Sequence, residues 1–299
     1  MNTTIPALLP GDLIYITAPA KSIDIECIEF AKSYFEKNGF RVQISKHCLG
    51  EHHYFSGTDY ERMIDFQEGI DNPEVKAIVC ARGGYGCVRI VDTLQWASII
   101  RDPKWIVGFS DVTVFHQRMQ NFELKSIHAT MPLNFSSNTE DSLSTLLKAL
   151  KNESYTVESP FSKWNKSGEA KGRLVGGNLS ILYSLLGTDD EVDYANSILF
   201  IEDLSEQLYH LDRMFFAFKK AGILEQISGL IVGGMTDMKD TAIPFGKTYE
   251  EIILEHFQFR KIPIAFEFPA GHQDNNQALV LGSDVGFVVD NAGGKLELN

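Results

Sequence analysis

Short, almost unbroken apolar runs alternate with amphipathic stretches through the first half of the chain. Residues 13–18 read as a buried strand, 25–38 as an amphipathic helix stopped by Gly39, and 40–45 as a second strand. Thr58-Asp59-Tyr60-Glu61 has the spacing of a capping box and opens a helix that runs toward Asp71. The run 75–80 is continuously apolar apart from Lys76, and a glycine turn and a helix through Ile90 follow it. Trp105-Ile106-Val107 is another short strand, leading to a helix over 112–120, the segment 125–128 and a helix near 143–150. Strands that are apolar throughout, rather than at every second position, belong to a mostly parallel sheet covered by helices on both faces.

From 152 to 171 the pattern breaks into Ser, Lys, Glu, Asn and Pro, which reads as an inter-domain linker. Beyond it come a helix over 179–186, an apolar run 197–201, a helix over 209–221 stopped by Gly222, and short strands over 229–232 and 262–266. The final runs, 278–281, 285–289 and 295–298, are short and punctuated by glycine. This predicts two α/β domains: an N-terminal parallel-sheet domain over 1–151 and a smaller mixed domain over 172–299, joined through 152–171. The chain contains no internal repeat.

Composition adds exclusions. With 299 residues, 44% of them hydrophobic and 22% charged, the chain has the make-up of an ordinary globular protein. No apolar run approaches the roughly 18 to 20 residues a membrane span needs. The opening Met1-Asn2-Thr3-Thr4-Ile5-Pro6 has neither the basic nor the apolar region of a secretory signal, so a cytoplasmic location is expected. A formal net charge of −13 argues against nucleic-acid or anionic-membrane partners, which need basic surface. Cys27, Cys48, Cys80 and Cys87 lack the spacing of a metal or redox motif and read as reduced thiols.

The chemistry concentrates where strands end. Gly108-Phe109-Ser110-Asp111 follows the strand 105–107 directly. A serine on a sharp strand-to-helix turn has its hydroxyl lifted clear of the sheet, with the next backbone N–H groups aimed at developing negative charge. Val112 replaces the second glycine of the usual elbow, so the motif alone is weak. A serine nucleophile also needs a base and a carboxylate to orient it. Glu202-Asp203 ends the run 197–201, and Gly271-His272 follows the run 262–266, giving the chain order Ser, Glu, His.

Arg82-Gly83-Gly84-Tyr85-Gly86 fits neither a dinucleotide fingerprint nor a phosphate loop. It reads either as an anion nest or oxyanion donor opposite the serine, or as a tight turn. Arg82 is either a bidentate partner for a substrate carboxylate or a solvated charge. His47, Cys48, His52 and His53 look like a metal cluster but sit on a polar loop segment, so no metal is expected there. His116 reads as a helix-surface or interface histidine.

Several stretches in this order resemble the LD-carboxypeptidases, a serine peptidase family that includes the microcin C immunity peptidases. They are Pro10-Gly11-Asp12 with Ala18-Pro19, Gly57-Thr58-Asp59 with Arg62, Arg82 to Gly86 with Arg89, Gly108 to Asp111, Gly176-Gly177-Asn178, Glu202-Asp203 and Gly271-His272. The resemblance covers essentially the whole chain. It implies Ser110 as nucleophile, His272 as general base and Glu202 as the carboxylate that orients it, in a cleft between two α/β domains. The backbone at Asp111 and at Gly83 or Gly84 would form the oxyanion hole, and Arg82, Tyr85 and His128 are candidates for substrate contacts. It further implies a cytoplasmic homodimer, without metal or other cofactor, that removes terminal D-alanine from murein tetrapeptides in peptidoglycan recycling. The competing readings are a microcin C-type immunity peptidase acting on a peptide–nucleotide conjugate and a non-catalytic two-lobed binding protein.

Overall fold

A computed structural model describes residues 5–298; Met1–Thr4, part of the segment read for a signal peptide, and Asn299 lie outside the described residues. In chain order the strands are β1 (Leu13–Thr17), β2 (Arg41–Ile44), β3 (Val75–Cys80), β4 (Trp105–Gly108), β5 (Ser126–His128), β6 (Tyr155–Ser159), β7 (Gly168–Asn178), β8 (Ile198–Leu204), β9 (Gly229–Thr236), β10 (Ile264–Ala265), β11 (Leu279–Leu281), β12 (Asp284–Val289) and β13 (Gly294–Leu298). They form two sheets in two compact units, confirming a two-domain mixed α/β protein. No helix among the described residues is long and apolar enough to cross a membrane.

The first unit runs to Glu153 and takes back Asp274–Leu281 from the end of the chain. Its sheet has the order β11-β5-β4-β3-β1-β2, parallel from β5 to β2. Every residue of β1 and β4 is buried, as is all of β3 but Lys76, which is why these segments are apolar without alternation. In an open sheet of order 2-1-3-4-5 the strand order reverses between β1 and β3, and ligands bind at the carboxyl ends of the strands beside that point. The loops leaving those ends are Ala18-Pro19-Ala20, Arg82 to Gly86, and Phe109-Ser110.

The second unit, Ser154–Gln273 with Gly282–Asn299, has the sheet order β10-β9-β8-β7-β12-β13-β6. β7 serves two neighbours along its length. Residues 168–173 pair antiparallel with β12, while 174–178 pair parallel with β8. The first stretch alternates between exposed and half-buried positions and the second is fully buried. Gly176 makes the second possible. Its φ is +133°, and a Cβ there would lie 1.8 Å from the Phe200 carbonyl oxygen of β8. The core beneath includes Leu199, Ile201, Phe215, Phe218, Leu230 and Phe257.

Three expectations change. The stretch 152–171 carries all of β6 and the start of β7, so part of it is sheet rather than linker. Its residues face solvent at alternate positions on an antiparallel sheet, which makes the sequence polar. The run 278–281 does not close the second domain's sheet: β11 pairs antiparallel with β5, as the edge of the first. The helix Tyr249–His256 was not anticipated, although Thr248 and Glu251 form a capping box at its start.

Candidate functional site

In the first unit β4 ends at Gly108, and the chain turns sharply at Ser110, whose φ is +63°. A left-handed serine is strained, and it breaks the strand so that the hydroxyl stands at the head of the turn Ser110–Val112 and the helix Thr113–Asn121. Ser110 is half-buried, while Phe109 and Asp111 on either side are buried. Gly83 of the glycine loop lies against it: a Cβ at Gly83 would be 3.0 Å from the Ser110 Cβ and 3.3 Å from its Oγ. Ser110 and Gly83 are thus brought together, with room at position 83 for backbone alone. Gly84, with φ +113°, turns outward beside Tyr54 and Lys21.

The other candidates of this unit are placed less uniformly. Arg82 is half-buried and donates from Nη1 to the Ser22 carbonyl at 2.8 Å. Tyr85 is exposed, its ring 6.2 Å from that of Phe55. His128, a candidate substrate contact, is fully buried in β5 between the rings of Phe109 and His116, at 5.9 and 6.2 Å. It supports the elbow from below and presents no surface to a substrate. His116 is likewise interior rather than on the helix surface. Its Nε2 lies 2.8 Å from the Gly108 carbonyl, which can only accept, so Nε2 carries the hydrogen and Nδ1 accepts from Ser126 Oγ at 2.9 Å. Burial pushes its pKa down to about 3, which keeps the ring neutral.

Arg62 is the residue whose role the sequence did not disclose. Fully buried, it donates to the carbonyls of Pro19 at 2.5 Å, Gly86 at 3.1 Å and Gly57 at 3.3 Å, and to the Asp59 carboxylate. One guanidinium therefore ties together the loops that leave β1 and β3. Asp59 also binds Arg89, and that hydrogen bond holds its pKa below the ordinary value. His47 is paired to Asp65 at 2.7 Å, and no group of three metal-ligating side chains is assembled among the described residues.

In the second unit Glu202, wholly buried, lies at a register shift where β8 meets β9. Its Oε2 accepts from His272 Nδ1 at 2.6 Å and from the His272 backbone N–H at 3.2 Å. A carboxylate on Nδ1 fixes the tautomer and leaves Nε2 with a lone pair. Burial alone would lower the pKa of His272, but the charge and hydrogen bond of Glu202, with the charge of Asp203, leave it raised. Two glycines permit the contact. Gly271 has φ +105°, and a Cβ there would fall 2.6 Å from the Glu202 Cβ; one at Gly233 would fall 2.4 Å from the Ala270 carbonyl. Asp203 does different work, accepting from Asn178 Nδ2 at 3.1 Å and from the Ser180 N–H at 2.9 Å. It thereby holds Asn178 at the end of β7 and accepts a first-turn N–H of the helix Leu179–Ser184, whose N-cap is Asn178. Burial and the neighbouring Glu202 charge push its pKa up to about 7.

Chemically, the first unit offers a hydroxyl in a strained elbow beside backbone donors, and the second a histidine prepared to take a proton. Residues 14–129 match the N-terminal domain of the LD-carboxypeptidases, and residues 171–287 match the C-terminal domain. The chain belongs to the LD-carboxypeptidase family. It is a serine carboxypeptidase. A putative carboxypeptidase of Synechocystis sp. is 32% identical over 280 residues, covering 92% of this chain and 91% of the relative. A probable murein peptide carboxypeptidase of Bacillus subtilis is also 32% identical, over 292 residues, covering 95% and 91%. The crystal structure of muramoyltetrapeptide carboxypeptidase from Oxalobacter formigenes superposes with a TM-score of 0.87 at 24% identity, over 96% of this chain and 98% of that one, a likeness of fold.

Proposed function

We propose that this LD-carboxypeptidase hydrolyses the L-to-D peptide bond that releases terminal D-alanine from murein tetrapeptides, with Ser110, His272 and Glu202 as its catalytic residues. The observation that carries the reading is the 2.6 Å bond from His272 Nδ1 to the buried Glu202, which leaves Nε2 as a base, in a chain whose other unit holds Ser110 in a left-handed elbow. In this mechanism Ser110 Oγ attacks the scissile carbonyl as His272 Nε2 takes its proton, and Glu202 stabilises the imidazolium that forms. The tetrahedral oxyanion is held by backbone N–H groups at Asp111 and at Gly83 or Gly84, each donor worth about 3–4 kcal/mol in such sites. The imidazolium then protonates the leaving amine, D-alanine departs, and water repeats the sequence on the acyl-enzyme. Arg82, with guanidinium nitrogens beyond its bond to Ser22, and the exposed Tyr85 are the proposed substrate-side contacts. The reading places the enzyme in the cytoplasm, as a homodimer acting in peptidoglycan recycling.

An L,D-specific exopeptidase has to pair the substrate's terminal carboxylate while presenting one carbonyl to the serine. Inverting the terminal centre exchanges methyl and hydrogen, so both requirements cannot be met together, and a displacement of about 1 Å at the reacting carbonyl costs roughly 10²-fold. The test is product mass from a murein tetrapeptide, a pentapeptide, an all-L tetrapeptide and a nucleotide-linked peptide. Release of D-alanine from the first, with the all-L peptide left intact, is expected. Equal turnover of both stereoisomers would overturn the assignment. Preference for the nucleotide-linked peptide would move the chain to the microcin C immunity reading, and no turnover of any peptide to the non-catalytic one.

A further inference from the structure

The oxyanion donors proposed above come from two separate loops, one leaving β4 and one leaving β3, whose spacing has to be set by something. Asp111 follows the nucleophile and is 1% exposed. Its side chain does not cap the helix that follows it. Instead Oδ2 accepts at 2.8 Å from the backbone N–H of Cys87, the first residue of the short helix Cys87–Ile90 that ends the glycine loop. A Ser, Thr, Asp or Asn at position 86 would cap the second or third N–H of this helix rather than that of its first residue, Cys87. That position is Gly86, with φ +150°, and the space a Cβ would fill is taken by Arg62 Nη1 at 2.7 Å. The acceptor for the Cys87 N–H is instead the carboxylate of the residue beside the nucleophile, buried in the process.

The rest of the glycine loop is pinned to its own side. Ala81 donates to the Thr17 carbonyl at 2.8 Å, Lys21 donates to the Gly83 carbonyl at 3.4 Å, and Arg62 holds the Gly86 carbonyl. The bond from Cys87 to Asp111 links that assembly to the loop that carries Ser110. We infer that the Asp111 side chain is a positioning residue, fixing the distance between these two loops so that the N–H of Asp111 and that of Gly83 or Gly84 converge on one oxygen. The inference rests on the serine mechanism proposed above.

Four proteins test it: wild type, Asp111→Ala, Asp111→Asn and Asp111→Glu. Each is assayed for kcat and KM on the tetrapeptide, for inhibition by a peptide boronic acid that forms a tetrahedral adduct with the serine, and for its unfolding midpoint. Asp111→Ala should lose about 10²-fold in kcat, the scale of one misplaced oxyanion donor, with KM within about threefold and boronate affinity falling in parallel with kcat. Asp111→Asn keeps an oxygen for the Cys87 N–H and should recover to within about tenfold of wild type. Asp111→Glu, a methylene longer, should separate the loops and lose kcat again. A purely structural role would lower the unfolding midpoint without separating kcat from KM. Where Asp111→Ala fails to fold, the Asn and Glu variants decide. Wild-type kcat in a folded Asp111→Glu variant, or a loss that Asp111→Asn does not relieve, overturns the inference. Wild-type protein that releases no residue from any peptide overturns the serine reading itself, and this inference with it.

Discussion

Single side chains set the chemistry, and at this scale two residues adjacent in sequence have opposite duties. Glu202 faces His272, while Asp203 faces Asn178 and the first turn of a helix. Glu202→Gln should therefore preserve the fold and lower kcat by about 10³- to 10⁴-fold, because an amide cannot stabilise the imidazolium. Asp203→Asn retains an acceptor for Ser180 and should leave kcat nearly unchanged. Steady-state kinetics on the two purified variants checks the assignment, and the reverse result would exchange the two acids. The raised pKa of His272 carries a further expectation. The base works only when unprotonated, so kcat/KM should fall as pH drops, with the apparent pKa of that acid limb above the ordinary imidazole value of about 6.5. Glu202 supplies the main raising influence, so the limb should move to lower pH in Glu202→Gln. A limb that is unchanged in the variant would detach the titration from this pair.

Among the secondary-structure elements, legibility followed burial. β1, β3 and β4 are covered on both faces, so their apolar runs could be read directly, and the turns at their ends drew attention to Ser110 and Gly83. β6 and the first half of β7 are covered on one face, and their polar alternate positions imitate a linker. No local signal could assign the pairing of β11 with β5, since a short apolar strand does not encode which sheet it joins. His116 and His128 were misplaced for a related reason: sequence spacing shows neither burial nor the carbonyl of Gly108 waiting for a donor. Lys104 is another interior polar group, donating to the carbonyls of Gly69, Ile70 and Asn72 at the end of the helix Asp59–Asp71. Lys104→Met removes that donor from the last turn and should cost about 1–3 kcal/mol of stability by denaturant titration. Because Lys104 precedes the start of β4, at the opposite end of that strand from Ser110, and its amine bonds only to the carbonyls named, kcat should be nearly unaffected; a stability equal to wild type would contradict the capping role.

For the whole molecule, the proposed chemistry divides between two units with separate sheets. The first supplies the proposed nucleophile, and the His116 buried behind β4 cannot serve it, having both nitrogens committed and being held neutral. The second supplies a base and its carboxylate without a nucleophile of its own in the assignment. The claim that the His272 pair activates Ser110 therefore joins residues more than a hundred positions apart, and it is the claim most open to direct test. The measurement is the rate at which a serine-directed phosphonate modifies the protein, followed by intact mass and located by peptide mapping, in wild type, Ser110→Ala and His272→Ala. The account predicts one adduct, on Ser110, absent from Ser110→Ala and formed about 10²- to 10⁴-fold more slowly in His272→Ala, the usual contribution of a general base. An adduct on another residue, or an undiminished rate in a folded His272→Ala variant, would contradict it.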